Sequence, residues 1–196
     1  MEALNHLLVR AVLSGLSAVF LDRDGTINAK APEGSYVSSP RQLRLLPGAA
    51  QAVRLLNDCA VPVYVVTNQR GVARETMTLQ DVDAVNIALQ RRLARYGARV
   101  DAFYVCPHDE GACNCRKPLP GLLLQAAAEH DDLSLVRSVM IGDSEADVGA
   151  ALAAGALPIR LGRTGTSSRA PIVVADLRAA VASLLEGCSR TTVLAR

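Results

Sequence analysis

Tryptophan is missing from this chain, and only two phenylalanines and four tyrosines occur among its 196 residues. Any core must therefore be aliphatic, built from Leu, Val and Ala. The same scarcity argues against a surface on which successive nucleic-acid bases stack. An excess of one charge is missing too. Lys and Arg number 21 against 19 Asp and Glu, a formal net charge of +2. The two signs are interspersed, so neither a nucleic-acid stripe nor a basic membrane patch is indicated. No long apolar run is present near the N-terminus: residues 11–21 are bounded by Arg10 and Asp22 and are too short to span a bilayer. No basic leader precedes them. The expectation is a cytoplasmic protein with no nucleic-acid or membrane partner. Internal repeats and low-complexity tracts are also lacking.

What is present is a regular alternation. Half the residues are hydrophobic, enough for one sizeable core without disulfides. Apolar runs at residues 16–22, 61–67, 101–106 and 136–142 read as buried strands. Shorter strands are expected at 157–161 and 172–174. Helical segments fall between them, at 47–58, 78–96, 120–129 and 145–154, with a last helix capped by Asp176. Thr78 with Asp81 three residues on is a helix-start signal. Strands spaced by helices indicate an α/β fold: a doubly wound, mostly parallel sheet with helices on both faces. We expect one domain over residues 16–186, an N-terminal extension over 1–15 and a disordered tail over 187–196. The segment 162–170 reads as a flexible loop.

Ligands of such sheets bind beyond the carboxyl ends of the strands. Polar residues gather at those ends here: Asp22 and Asp24, Thr67 and Asn68, and Asp143. In extended chain, residues two apart face the same way, so Asp22 and Asp24 can serve one site while Gly25 turns the chain aside. One carboxylate can attack a phosphate monoester, which splits a very slow hydrolysis into two steps. The other can protonate the leaving alcohol and then deprotonate water. Asp22 suits the first role and Asp24 the second. Clustered carboxylates call for a divalent cation, and Asp22, the carbonyl of Asp24 and Asp143 offer hard oxygens to Mg²⁺. Lys117 would balance charge on the transferring group, with Thr67 and Asn68 donating to its oxygens. An Asp-x-Asp at a strand end can also be a plain turn, but four such signals in order are hard to explain as solvated loops.

That order resembles the haloacid dehalogenase (HAD) superfamily of phosphatases. The matching segments are Asp22-Arg23-Asp24-Gly25-Thr26, Thr67-Asn68, Lys117, and Gly142-Asp143-Ser144 with Asp147. The resemblance covers residues 19–162, most of the chain. The resemblance implies a HAD-like Rossmannoid fold without a large cap domain, a phospho-aspartate at Asp22, and Asp147 supporting the metal site from behind its ligands.

Five cysteines are present, three of them crowded at Cys106, Cys113 and Cys115. With His108 they supply three thiolates and one imidazole, a closed tetrahedral shell suited to structural Zn²⁺. Cys59 and Cys188 are read as unliganded, and His6 and His130 as surface or packing residues. The zinc loop running into Arg116-Lys117-Pro118 is similar to that of two branches, the heptose bisphosphate and the histidinol-phosphate phosphatases. The stretch Thr67-Asn68-Gln69-Arg70-Gly71-Val72-Ala73-Arg74 is closer to the heptose branch. By that likeness Gln69 joins the substrate contacts and Arg116 recognises the substrate. Lys30 and Arg70 would help Arg116 hold a second phosphate. Ser144 stands where the heptose enzymes often carry Lys, and the short zinc loop is closer to the histidinol type. The expected protein is a monomeric sugar bisphosphatase acting on a small phosphorylated metabolite, most of all a heptose 1,7-bisphosphate taken to its 1-phosphate. Histidinol-phosphate phosphatase is the second enzyme reading. A catalytically silent zinc module is the remaining one, and it would have lost one of Asp22, Asp24, Lys117 or Asp143.

Overall fold

The computed structural model describes residues 15–163 and 165–189. In chain order these form β1 (Ala18–Leu21), α1 (Ala49–Asp58), β2 (Val63–Asn68), α2 (Leu79–Ala94), β3 (Ala102–Cys106), α3 (Gly121–Glu129), β4 (Ser138–Gly142), α4 (Glu145–Ala154), β5 (Leu157–Leu161), β6 (Ile172–Val174) and α5 (Leu177–Ser189). The strands make one sheet in the order β3-β2-β1-β4-β5-β6, and every pairing is parallel.

Strand alternation divides the apolar residues between two cores. Val19 and Leu21 of β1 join a cluster with Val53 and Leu56 of α1, Val85 and Leu89 of α2, and Val181 of α5. Ala18 and Phe20 of the same strand join a second cluster with Leu122 and Leu123 of α3 and Ala151 of α4. β1 is thus buried on both faces, as its unbroken Ala-Val-Phe-Leu run requires. The expected helices on both faces are present, and the core is aliphatic. Its rings meet at one place, where Tyr64 lies 5.5 Å from Phe20 and stacks on His130 at 4.8 Å. His130 is thus a packing residue, and Cys59 is exposed at the end of α1.

Local signals act where the sequence put them. The Thr78 side chain accepts from the Asp81 N–H, and the Asp81 carboxylate accepts from the Thr78 N–H, closing a capping box on α2. The Ala179 N–H donates to Asp176 Oδ1 at 2.8 Å at the start of α5. One boundary moves. The strand expected over 136–142 begins at Ser138, because Leu135–Arg137 form a 3₁₀ turn. Val136 is 66 % exposed there and has no core to enter. The loop beyond β5 is pinned to α4: Glu145 accepts from Arg160 Nη1 at 2.9 Å and from Ser168 Oγ at 2.6 Å. Residues 1–14 and 190–196 lie outside the described residues, which takes in nearly all of the expected extension, His6 and most of the tail. Among the described residues, no helix is long and apolar enough to cross a membrane.

Sequential strands run from β1 through β2 to β3, and the chain then returns to place β4 on the other side of β1. The switch point therefore lies between β1 and β4. Leu21 pairs with Ile141 and Val65 in register, so Asp22 emerges beside Asp143 and the end of β2.

Leu56 is fully buried in the α1 core, remote from that edge. Leu56→Ala should lower unfolding free energy by about 2–5 kcal/mol, the usual cost of a core cavity. Denaturant melts should show this loss, with divalent-cation affinity unchanged.

Candidate active site

Asp22 follows the last residue of β1, and its carboxylate is surrounded by protein. Its Oδ1 accepts from the Arg23 N–H at 2.8 Å and lies 2.9 Å from Lys117 Nζ. Among the described residues no protein donor engages Oδ2. Burial pushes the Asp22 carboxyl up to about 7, from an ordinary 3.8. Lys117 opposes that rise, while Asp147 and Asp24 add to it.

Lys117 is fully enclosed. Its ammonium lies 2.6 Å from Asp147 Oδ1 and 2.9 Å from Asp22 Oδ1, and it donates to the Val66 carbonyl at 2.8 Å. Burial alone would lower its pKa, but the two carboxylates outweigh burial and hold it above the ordinary lysine range. Asp147 shows the mirror effect: burial would raise it, and Lys117 with Ser144 brings it below the ordinary range. The backbone of Lys117 is fixed by Asn68, whose Oδ1 accepts from the Lys117 N–H at 3.1 Å and whose Nδ2 donates to the Lys117 carbonyl at 3.0 Å. Ser144 and Asp147 form a capping box that starts α4, with Ser144 Oγ donating to Asp147 Oδ2 at 2.6 Å. Gly142 makes room for this: a Cβ there would sit 2.3 Å from Asp147 Cγ.

Asp24 is held by three side chains. Its Oδ2 accepts from Arg23 Nη2 and Gln69 Nε2, both at 2.9 Å, and its Oδ1 from Asn28 Nδ2 at 2.7 Å. Asp143 lies opposite, 2.5 Å from Lys30 Nζ. Partial burial would lower the Lys30 pKa, but its contact with Asp143 raises it. These groups line a cavity of about 280 Å³, walled by Asp22, Asp24, Thr67, Asn68, Lys117 and the segment 30–37. A second cavity of about 300 Å³ shares Asn68, Lys117 and Ala146 with it and reaches Arg116.

Beyond β3 lies the cysteine cluster. Cys113 Sγ is 3.6 Å from Cys106 Sγ and 3.3 Å from Cys115 Sγ, and His108 Nδ1 is 3.3 Å from Cys115 Sγ. Sulfurs on a tetrahedral zinc at ~2.3 Å stand roughly 3.8 Å apart, so the four groups are gathered at close to coordination spacing.

Comparison with known proteins fits this geometry. Residues 114–186 match the model of the HAD-hydrolase-like family. The D-glycero-α-D-manno-heptose-1,7-bisphosphate 7-phosphatase of Mycobacterium tuberculosis (strain CDC 1551 / Oshkosh) is 44 % identical over 131 residues, 66 % of this chain and 68 % of that protein. The β-anomer enzyme of Rhodopseudomonas palustris is 43 % identical over 146 residues, 70 % of this chain and 79 % of that one. The chain belongs to the heptose-bisphosphate phosphatase family of HAD-like hydrolases. The family's solved structures superpose well. The Bordetella bronchiseptica D,D-heptose 1,7-bisphosphate phosphatase, complexed with magnesium and phosphate, gives a TM-score of 0.79 at 34 % identity, covering 87 % of this chain and 99 % of that one. The Burkholderia thailandensis enzyme gives 0.64 at 28 % identity, covering 86 % and 98 %. Membership places the chain among the phosphoric monoester hydrolases.

The cleft suits the cation that the Bordetella relative carries. Carboxylate oxygens of Asp22, Asp143 and Asp147 lie within 4.8 Å of one another. Asp143 Oδ1 is buried with no hydrogen-bond partner, as a ligand oxygen would be. Gly25, at φ 95°, leaves open the space where a Cβ would stand 2.6 Å from Asp143 Oδ2. The Cys106, His108, Cys113 and Cys115 set could hold zinc in the same family sense.

Not every residue expected to meet substrate lies in the cleft. Lys30, Thr67, Asn68, Lys117 and Ser144 line it, but Asn68 is occupied by the Lys117 backbone and Ser144 by its helix cap. Gln69 is buried, bridging Thr67 Oγ1 and Asp24. Arg70 is paired with Asp109 and Glu110. Arg116 lines the adjoining cavity, with Glu110 at 3.9 Å. Sequence reasoning passed over three residues: Arg23, Asn28 and Asn86. Each had a signal. Arg23 alternates out of phase with its two acidic neighbours, and Asn86 breaks the apolar stripe Val82, Val85, Leu89, Leu93 on the buried face of α2.

Two measurements test the electrostatics and the metal. Lys117→Met leaves two buried carboxylates unbalanced and should cost about 3–5 kcal/mol at neutral pH. Lys117 is what holds Asp147 below its ordinary range and opposes the rise of Asp22, so without it both carboxyls bind a proton at higher pH than in wild type. The deficit should therefore shrink as pH falls and these carboxyls take up protons in the variant, and unfolding titrations without added Mg²⁺ should show it. Metal analysis of the purified protein should return about one zinc per chain. Cys113→Ser should lower the melting temperature and soluble yield, since structural zinc is worth roughly 10–16 kcal/mol apparent in small domains.

Proposed function

We propose that this protein is the phosphatase of D-glycero-D-manno-heptose 1,7-bisphosphate, releasing the phosphate at position 7 and leaving the 1-phosphate. The observation that carries the reading is convergence: Asp22, Asp24, Thr67, Lys117 and Asp147 line one cavity, with Asp143 at its edge. Relatives 38–44 % identical carry that activity in their names.

The chemistry follows from the positions. Asp22 Oδ2, the oxygen not held by Arg23 or Lys117, attacks phosphorus. The bond from phosphorus to the sugar oxygen breaks as the Asp24 carboxyl gives that oxygen its proton. The product sugar leaves an acyl phosphate on Asp22. Asp24, now a carboxylate, takes a proton from water as the water oxygen attacks phosphorus. Phosphate departs and the Asp22 carboxylate is restored. Lys117 balances negative charge throughout. Mg²⁺, held by Asp22, Asp143 and the carbonyl of Asp24, would neutralise the phosphoryl oxygens and the clustered carboxylates. Thr67, which lines the cavity, would donate to the phosphoryl group. The zinc loop keeps Arg116 and Lys117 in place rather than joining the reaction.

The choice of a bisphosphate rests on the adjoining cavity. It continues from Asn68 and Lys117 to Arg116, whose planar fork can bind a second phosphate in bidentate fashion. The amine of histidinol phosphate would meet Arg116 there, with Glu110 on the same wall offsetting part of that charge.

Asp22→Asn should abolish turnover while leaving the melting temperature near that of wild type, and beryllium fluoride should label Asp22. Near-normal turnover of this variant would sink the covalent route. In competition assays the heptose bisphosphate should give the higher kcat/KM. Arg116→Ala should erase most of that preference while aryl-phosphate hydrolysis falls less. A clear preference for histidinol phosphate would overturn the choice of substrate.

A further inference from the structure

Among the described residues Arg23 is the largest fully buried side chain, and no step of the reaction uses it. It stands between two acidic residues in sequence, yet alternation turns it to the opposite face, beneath α2. There its guanidinium makes a two-sided fork. Nη2 donates to Asp24 Oδ2 at 2.9 Å and Nη1 to Asn86 Oδ1 at 3.0 Å. Asn86 is 6 % exposed and sits within the apolar stripe of α2. Burying a guanidinium is costly, and well-packed apolar residues commonly serve stability as well or better. A pair of this kind fixes geometry instead: the rigid fork sets both the position and the plane of the carboxylate it meets. Gln69 and Asn28 complete the hold on the same carboxylate.

We infer that Arg23, itself anchored by Asn86 of α2, is a positioning residue that fixes the Asp24 carboxylate against the leaving oxygen. Catalytic groups must be held within about 0.5 Å and 10–20° of their productive geometry. A carboxylate on a short side chain at a strand end has no such restraint of its own. The Arg23–Asn86 link ties it to a 16-residue helix that packs in the main core. This inference rests on the phosphatase reading and on Asp24 as proton donor to the leaving group.

The test compares two substrates in the magnesium-loaded enzyme. An alkyl phosphate needs a proton on its leaving oxygen, whereas an activated aryl phosphate needs far less. Arg23→Lys keeps the charge but reaches only one of the two acceptors. Asn86→Leu keeps the branched shape of the side chain and removes the acceptor, while Asn86→Asp restores one. Arg23→Lys and Asn86→Leu should each lower kcat on the alkyl phosphate by about 10–100-fold and on the aryl phosphate by less than about threefold, within the 10²–10⁴ that a positioned acid contributes. KM for both should hold, and Asn86→Asp should recover most of the alkyl rate. A loss of structure alone would lower both rates together. Equal loss on both substrates, or an unchanged ratio, would overturn the inference. If Arg23→Lys does not fold, the Asn86→Leu and Asn86→Asp pair decides it. Wild-type protein that turns over neither phosphate would refute the phosphatase reading instead, and the control shows that before any variant is compared.

Discussion

A single buried ammonium organises this molecule. Lys117 lies between Asp22 and Asp147 with the Val66 carbonyl as its third acceptor. Two carboxylates this deep would repel each other strongly, and one lysine this deep would tend to lose its proton. Lys117 and Asp147 hold each other charged, while Asp22 stays raised by burial and is only partly offset by the ammonium. The constraint reaches outward. Lys117 can stand there only if its backbone is fixed, which Asn68 does from the end of β2. Asp147 can stand there only if Ser144 caps α4 and if Gly142 has no side chain. Strand order, helix start and loop path are all conditions on one cation.

The cysteine cluster belongs to the same set of conditions. The chain leaves β3 at Cys106 and must cover the distance to Lys117 without regular structure. Three sulfurs and one imidazole close that excursion into a compact knot, and Gly121 lets the knot press on α3, where a Cβ would meet the Asn114 carbonyl. Zinc held by these four groups would substitute for the secondary structure that residues 107–116 lack. It sits where a lost restraint would displace the charge on which the nucleophile depends.

Much of this was legible beforehand, and the reasons differ by element. β1, β2 and β4 are apolar on both faces, so composition alone separates them from amphipathic helices. Caps at Thr78 and Asp176 are local chemistry and read directly. The acids of the cleft could be found because they end strands, and strand ends converge in a doubly wound sheet. Side-chain commitments could not be found in this way. Asn68, Gln69 and Ser144 carry polar groups that could face either a ligand or the protein, and sequence does not distinguish the two. The protein takes up the Asn68 amide through the Lys117 backbone, Gln69 through Asp24, and Ser144 through its own helix. Arg70 has two acidic residues within reach across the loop, a pairing that needs the fold to bring Asp109 and Glu110 near. The strand expected from Val136 starts two residues later, because an exposed position has nothing to pack against.

The segment 30–37 forms one wall of the cleft and is fastened toward its two ends, by the Lys30–Asp143 contact and buried Val37 among others. Asn28 bridges to Leu45, Ala29 bonds the Arg44 carbonyl, and Arg92 of α2 clamps the carbonyls of Pro40 and Leu43. At its tip, Gly34 has open space around it. A hairpin of that design can be lengthened, shortened or rewritten between its two moorings without disturbing the acids beneath. Selection can thus exchange one phosphorylated metabolite for another by editing a few tip residues, while the machinery that breaks the phosphate ester is inherited intact.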